Sequence, residues 1–168
     1  MKRYVVRSPV KERLVVEVPE QPEDIAHELV KYTTTTSQTL SLGTPATTTL
    51  IDFDTLVFDE AERVTTGASW VFTAGVDGWY QVIVNVGVDA TTGIVGCELL
   101  LYKNGNPVRT LHRGHNFSGD NLGQLHGVAI EQLVAGDTLA VYVKDNEGGP
   151  LELSTDSKAN FIEILRVL

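Results

Sequence analysis

The sequence predicts an all-β sandwich preceded by a short segment of different character. Three observations support this fold class. The first is the stretch Gly67 to Val88, GASWVFTAGVDGWYQVIVNVGV, in which Tyr80, Val82, Val84, Val86 and Val88 occupy every second position. Gln81, Asn85 and Gly87 fall between them; such alternation sends one set of side chains to a core and the other to solvent or a neighbour. The second is a succession of roughly eight to ten short β-prone runs set off by turn-forming residues, the spacing of a sandwich. The third is that only one stretch carries helical signals, and neither an internal repeat nor a Gly-X-Y tract is present. A chain of 168 residues suits one sizeable domain plus an appendage.

From the N-terminus, Tyr4-Val5-Val6 and Leu14 to Val18 are β-prone runs broken by Ser8-Pro9. They are expected to pair as a hairpin or to add to the sheet edge of a partner. Pro19 and Pro22 end the second run. Residues Pro22 to Lys31 then predict a short helix: proline at its start, acids in its first turn and Lys31 at its end all suit the helix dipole. Ile25, Leu29 and Tyr32 would share one face. About ten residues do not hold a helix unaided, so this one needs a surface to lie on. Thr33 to Thr49 is rich in Thr and Ser; it reads either as an extended connector or, at Gln38 to Leu42, as an early strand. The resulting division is an N-terminal anchor segment over residues 1–35, a Thr-rich connector over 36–49 and the sandwich over 50–168.

The sandwich is expected to open with Leu50 to Phe53 and Leu56 to Phe58, followed by a charged bend, Asp59 to Arg63. Two central strands follow, about Ser69 to Thr73 and Trp79 to Val88, joined by a tight turn at Val76-Asp77-Gly78. Cys97, Leu99 and Leu101 mark the next strand, which turns back at Asn104-Gly105, a strong hairpin dipeptide. Pro107 to Leu111 is the return strand, Arg113 to Gly123 a loop, and Leu125 to Leu133 another strand. Gly136-Asp137 turns into Leu139, Val141 and Val143. After a loop at Asp145 to Pro150 come Leu151 and Leu153, and Phe161 to Leu168 closes the chain.

Bulk properties narrow the function. No apolar run approaches the about 18 residues of a membrane span, and MKRYVVRSPVKERLVV has no continuous apolar core of a secretory signal. Membrane insertion is not expected. The formal net charge of -9 argues against nucleic acid as the main partner. That charge lies beyond residue 31, whereas the first thirteen residues hold Lys2, Arg3, Arg7, Lys11 and Arg13 against Glu12. One cysteine, Cys97, excludes an intrachain disulfide and reads as a small buried apolar residue.

Candidate chemistry is sparse. His112, His115 and His126 cluster in sequence, but H-x2-H with a cation between and no cysteine partner reads as loop histidines rather than a metal site. Asp145-Asn146-Glu147 offers hard oxygen ligands without EF-hand spacing; a solvated loop is the simpler reading, calcium the alternative. Ser118, a histidine and Asp120 could suggest a hydrolase, yet no G-x-S-x-G elbow is present. Asn116-Phe117-Ser118 matches a glycosylation sequon. Trp70 and Trp79 are expected in the core or an interface, with a carbohydrate platform as the alternative. The expectation is a non-enzymatic protein with no cofactor and no resident metal.

Four phrases carry a family resemblance over roughly Thr47 to Leu168. TGASWVFTAGVDGWYQVIVNV, then Leu99 to Gly105, then Leu133 to Val141, LVAGDTLAV, and finally Asn160 to Leu165 resemble, in order, the signature strands of the C1q/TNF-like family. The resemblance implies a jelly-roll sandwich that forms a homotrimer and works by binding; some C1q-type relatives carry calcium. Phe161 to Leu168 is mostly apolar on both alternate faces, which suggests burial against another subunit as well as against the core. Phe161, Ile162, Ile164, Leu165 and Val167 are therefore the expected trimer interface, and a trimer axis could gather three copies of one histidine. The chain departs from animal C1q in lacking a collagen stalk and a visible secretory signal. Similar jelly rolls occur on bacteriophage particles, which suggests a virion surface protein: a capsid decoration or fibre-tip protein joined to a capsid or tail through residues 1–35, with Lys2, Arg3, Arg7, Lys11 and Arg13 supplying charge. The alternative is a bacterial lectin-like protein that binds host-surface glycan through its apical loops, where His112, His115 and Asp120 are candidate ligand residues.

Overall fold

The computed structural model describes residues 2–7, 13–18, 28–42, 47–90, 94–118, 122–148 and 150–167. Among these there are strands and turns and no helix. The N-terminal runs form an antiparallel pair, β1 (Lys2–Arg7) with β2 (Arg13–Val18), in a two-stranded sheet of their own. The remaining strands make two antiparallel sheets. One contains β11 (Asn106–Ser118), β10 (Ile94–Lys103), β13 (Thr138–Asp145), β8 (Val71–Thr73) and β7 (Val64–Thr65) in that order, with β5 (Thr48–Leu50) also on β13. The other runs β4 (Thr39–Leu42), β14 (Pro150–Leu153), β9 (Gly78–Ala90), β15 (Phe161–Arg166), β3 (Leu29–Thr33) and β6 (Thr55–Asp59), with β12 (Leu122–Leu133) on the other edge of β9.

Alternation decides what lies between the sheets. Tyr80, Val82, Val84, Val86 and Val88 of β9 all face inward and are buried. They meet Leu139, Val141 and Val143 of β13 and Cys97, Leu99 and Leu101 of β10 in one continuous core. Trp70 fills one end, edge-on to Phe53 at 5.3 Å and to Tyr32 at 6.2 Å between ring centroids. The β10–β11 connection is the two-residue hairpin expected at Asn104-Gly105; both residues have positive φ, 51° and 75°, as a type I′ turn requires. Asn104 also ties this hairpin to the Gly136-Asp137 turn: its Nδ2 donates to Asp137 Oδ1 at 2.7 Å and its Oδ1 accepts the Thr138 amide at 2.8 Å. Hydrogen bonds from Lys103, Asn104 and the Val134 amide hold the Asp137 carboxyl down at about 2.

Several expectations are corrected. Leu29 to Lys31, expected at the end of a helix, lie in strand β3, which pairs with β15 on one side and β6 on the other. Pairing on both edges outweighs the local helix signals: Val30 and Tyr32 go to the core, and Lys31, expected to face a helix terminus, meets Glu163 across the sheet at 2.5 Å. Pro22 to His27 lie outside the described residues. Since β3 belongs to the sandwich, the boundary expected at residue 35 falls too late, and a segment distinct from the sandwich must end before Glu28. Within the Thr-rich stretch the strand alternative is realised as β4, and Thr48–Leu50 is β5. The strands flanking Val76-Asp77-Gly78 are not a hairpin: β8 and β9 lie in opposite sheets, and the turn is a corner between them. Arg113 to Ser118, expected as loop, continues β11 through register shifts against β10.

That corner is closed around a buried carboxylate. Glu28, 3% exposed, accepts the Tyr80 hydroxyl at 2.6 Å and the Gly75 amide at 3.1 Å, and Arg63 Nε stands 2.8 Å away as an ion pair without hydrogen-bond alignment. A β-carbon on Gly75 would overlap both the Arg63 guanidinium and the Glu28 carboxylate, so a larger residue there displaces this ion pair. Glu28→Ala should cost about 3 kcal/mol, the lower end for a broken buried pair because Arg63 keeps 34% of its side chain in water; a urea titration measures it. A second prediction concerns acid. A carboxyl depressed in the folded state adds stability above its unfolded pKa, near 4, and loses that contribution as pH falls through about 2. Asp137→Asn should therefore flatten the loss of thermal midpoint between pH 4 and pH 2 relative to the parent chain.

Candidate functional site: the outer face of the seven-stranded sheet

The residues between the buried positions of β9 build the other face of its sheet. Register places them in rows across four strands. Thr33, Phe161, Asn85 and His126 stand in one row; Lys31, Glu163, Ile83 and Val128 in the next; Leu29, Leu165, Gln81 and Ile130 in a third; Trp79 and Gln132 end the face. Three of these side chains decide its character: Val128 is 60% exposed, Ile130 51% and Trp79 42%. Leu29, Val134 and Val167 are exposed beside them. Scattered exposed apolar residues need no explanation, but adjoining rows on one sheet face mark an interaction surface. The charges in these rows are already paired: Lys31 Nζ meets Glu163 Oε1 at 2.5 Å and lies 5.5 Å from the centroid of the Phe161 ring.

Comparison with solved structures follows the same strands. A crystal structure of murine APRIL at pH 8.5 matches at TM-score 0.56 and 14% identity, covering 84% of this chain and 99% of that one. The Eiger TNF of S. frugiperda matches at 0.59 and 16%, covering 84% and 93%, and the globular domain of zebrafish complement 1qA at 0.53 and 15%, covering 84% and 96%. The fold is the TNF/C1q jelly roll. No family model and no curated protein matches the sequence.

In this jelly roll the five residues expected at a trimer interface divide between two faces. Phe161 and Leu165 are half-buried on the outer face and Val167 is exposed, whereas Ile162 and Ile164 are completely buried in the core of the single chain. The correction follows from the two-residue period: a strand apolar on both sides sends alternate residues to different places. Trp70 belongs to the core and Trp79 to the outer face. Ile83, Val128 and Ile130 were missed, yet the signal that singled out the last strand was present: VIV in β9 and GVAI in β12 are also apolar in both phases.

Of the histidine candidates, His112 and His126 are brought together. His112 sits on β11, with its ring centroid 5.3 Å from that of His126 and its Nδ1 3.3 Å from the His126 carbonyl oxygen. The side chain of His115 and all of Asp120 lie outside the described residues, as do the side chain of Ser118 and Lys11. Lys2, Arg3, Arg7 and Arg13 fall on β1 and β2, with Arg7 opposite Arg13. Asp145 is buried, and its Oδ1 accepts the amides of Glu147 and Gly148 at 2.9 and 2.8 Å, which makes it the cap of its turn. Among the described residues no group of three or more His, Cys, Asp or Glu side chains is placed to hold a metal ion. Beside β12 the sandwich edge is fitted closely: a β-carbon on Gly127 would stand 2.7 Å from Leu111 Cβ, and Arg109 Nε donates to Glu131 Oε1 at 2.6 Å across the same seam.

Proposed function

We propose that this chain is a non-enzymatic homotrimeric binding protein whose jelly rolls pack through the outer face of the seven-stranded sheet, and that it is displayed on a bacteriophage particle and held there by its N-terminal segment. The observation that carries the assembly is the apolar outer face itself, with Val128 and Ile130 more than half exposed and Trp79 exposed beside them, on a sheet whose opposite face is already the core. Burying apolar area contributes about 25 cal/mol per Å², and the Lys31–Glu163 pair lets the only charges in these rows enter an interface already compensated. The number three comes from the family resemblance. The phage setting rests on the likeness to jelly rolls carried by phage particles and on an N-terminal pair of strands that forms a sheet of its own.

Docking is ascribed to residues before Glu28. Lys2, Arg3, Arg7, Lys11 and Arg13 supply charge, and the Val-rich strands β1 and β2 supply apolar contact. Three copies on a symmetric platform would gain avidity, so modest single contacts suffice.

Two measurements test these statements. Ile130→Lys should give a folded monomer by light scattering, with unchanged β-type circular dichroism, while Ile164→Asp should unfold the chain because its charge is trapped in the core. A parent chain that stays monomeric at micromolar concentration would sink the trimer. Removing residues 1–18 should leave a folded trimer that no longer joins virions in a co-sedimentation assay, and salt should weaken docking of the intact chain only in part. Retained docking after the truncation would assign attachment elsewhere.

A further inference from the structure

The six-stranded sheet carries a feature unrelated to the face ascribed to assembly. Tyr102 and Tyr142 alternate with the buried Leu101, Val141 and Val143 and so lie on the outside of this sheet, with ring centroids 4.2 Å apart. Beside them is a hollow of about 310 Å³, lined also by Leu50, Val71, Ser69 and Thr138. A second hollow, of about 280 Å³, is lined by Thr34, Thr36, Ser37, Gln38, Asp52 and Asp54. The two share one wall residue, the exposed Ala68. One compartment is aromatic and the other hydroxyl- and carboxylate-rich, and together they reach the size of small-molecule clefts, about 300–1,000 Å³.

The polar groups are already ordered. Asp52 Oδ1 accepts the Gly67 amide at 3.0 Å, and its backbone amide is held by Gln38 Oε1 at 3.1 Å. Asp54 accepts the Thr55 hydroxyl at 2.8 Å. Trp70 lines the aromatic hollow and is 1% exposed, and its indole N–H has no hydrogen-bond partner among the described residues. A buried donor without a partner is uncommon. Among the described residues, no lysine or arginine lines either hollow.

We infer that the two hollows form one groove for a neutral oligosaccharide, with one sugar ring against Tyr102 and Tyr142 and the next reaching Asp52 and Asp54 past Ala68. A pyranose has an apolar C–H face that packs on an aromatic ring and a rim of hydroxyls that donate to carboxylates and accept from Ser and Thr. The two carboxylates, with no cation beside them, disfavour sialylated or uronic sugars. None of the groove residues lies on the outer face of β3, β9, β12 or β15, so binding does not depend on the trimer.

The experiment is a titration of the full chain with maltotriose, chitotriose, N-acetyllactosamine and sialyllactose, read by saturation-transfer NMR and by Trp fluorescence. At least one neutral sugar should bind about tenfold more tightly than sialyllactose. Ala68→Trp fills the junction from an exposed position and should weaken that sugar about tenfold or more; Tyr142→Phe keeps the ring and should bind as the parent does. The inference is overturned if all three neutral sugars fail to bind, if Ala68→Trp binds normally, if sialyllactose binds best, or if residues 1–27 of the chain itself prove by NOE to occupy the groove. Trimerisation, measured on the same samples, is expected to be the same with and without Ala68→Trp.

Discussion

The placement of one buried carboxylate constrains how the two sheets meet. An unpaired charge at the depth of Glu28 would cost several kcal/mol. Its compensation comes from three parts of the chain: the hydroxyl of Tyr80 at the start of β9, the amide of Gly75 in the corner between β8 and β9, and the guanidinium of Arg63 before β7; the Glu28 backbone carbonyl separately accepts the amide of Arg166 at the end of β15. β7 and β8 belong to one sheet, β9 and β15 to the other. Satisfying Glu28 therefore fixes the sheets relative to each other and fixes where β3 enters. Burial, and then the neighbouring carboxylate, push the Tyr80 phenol upward, so it remains a donor over the whole physiological range.

Once β3 is fixed at Glu28, its alternation is fixed as well. Val30 and Tyr32 face the core and Lys31 the outside, in line with Glu163. The same two-residue period on β9, β12 and β15 means that every apolar residue added out of phase with the core lands on the outer face. This sheet has many, so the sequence reserves a second apolar surface without weakening the first. The six-stranded sheet is built differently: its outer side carries the polar Thr138 and Lys144 and the paired tyrosines among its β13 and β10 positions.

Local signals were legible and distant ones were not. The alternation of β9 and the turns at Asn104-Gly105 and Gly136-Asp137 depend on residues next to one another, and the structure places all of them as read. Pro22 to Lys31 shows the limit: its end follows a pairing with a strand more than 130 positions away, represented by Lys31 and Glu163, which no local pattern reveals. Val76-Asp77-Gly78 shows another, since Asp and Gly favour a tight reversal whether the chain stays in one sheet or crosses to the other. The outer face was half legible. Its β15 members were found because that strand is apolar on both sides; Ile83, Val128 and Ile130 went unread because the alternation of β9 was followed only through its core phase and its polar Gln81 and Asn85, and β12 was read only as a strand.

Cys97 has a consequence for how the chain can be followed in solution. Its thiol is fully buried in β10, and burial, then the carboxylates of Asp145, Glu147 and Glu98, push it up to about 12. At neutral pH the thiol stays protonated, and the sandwich shields it. In the unfolded chain the same sulfur is an ordinary reactive cysteine. As the single cysteine of the sequence, it is a built-in clock of global opening: the rate at which an alkylating reagent consumes it counts excursions of the whole β-sandwich, without an engineered label and without interference from a second site.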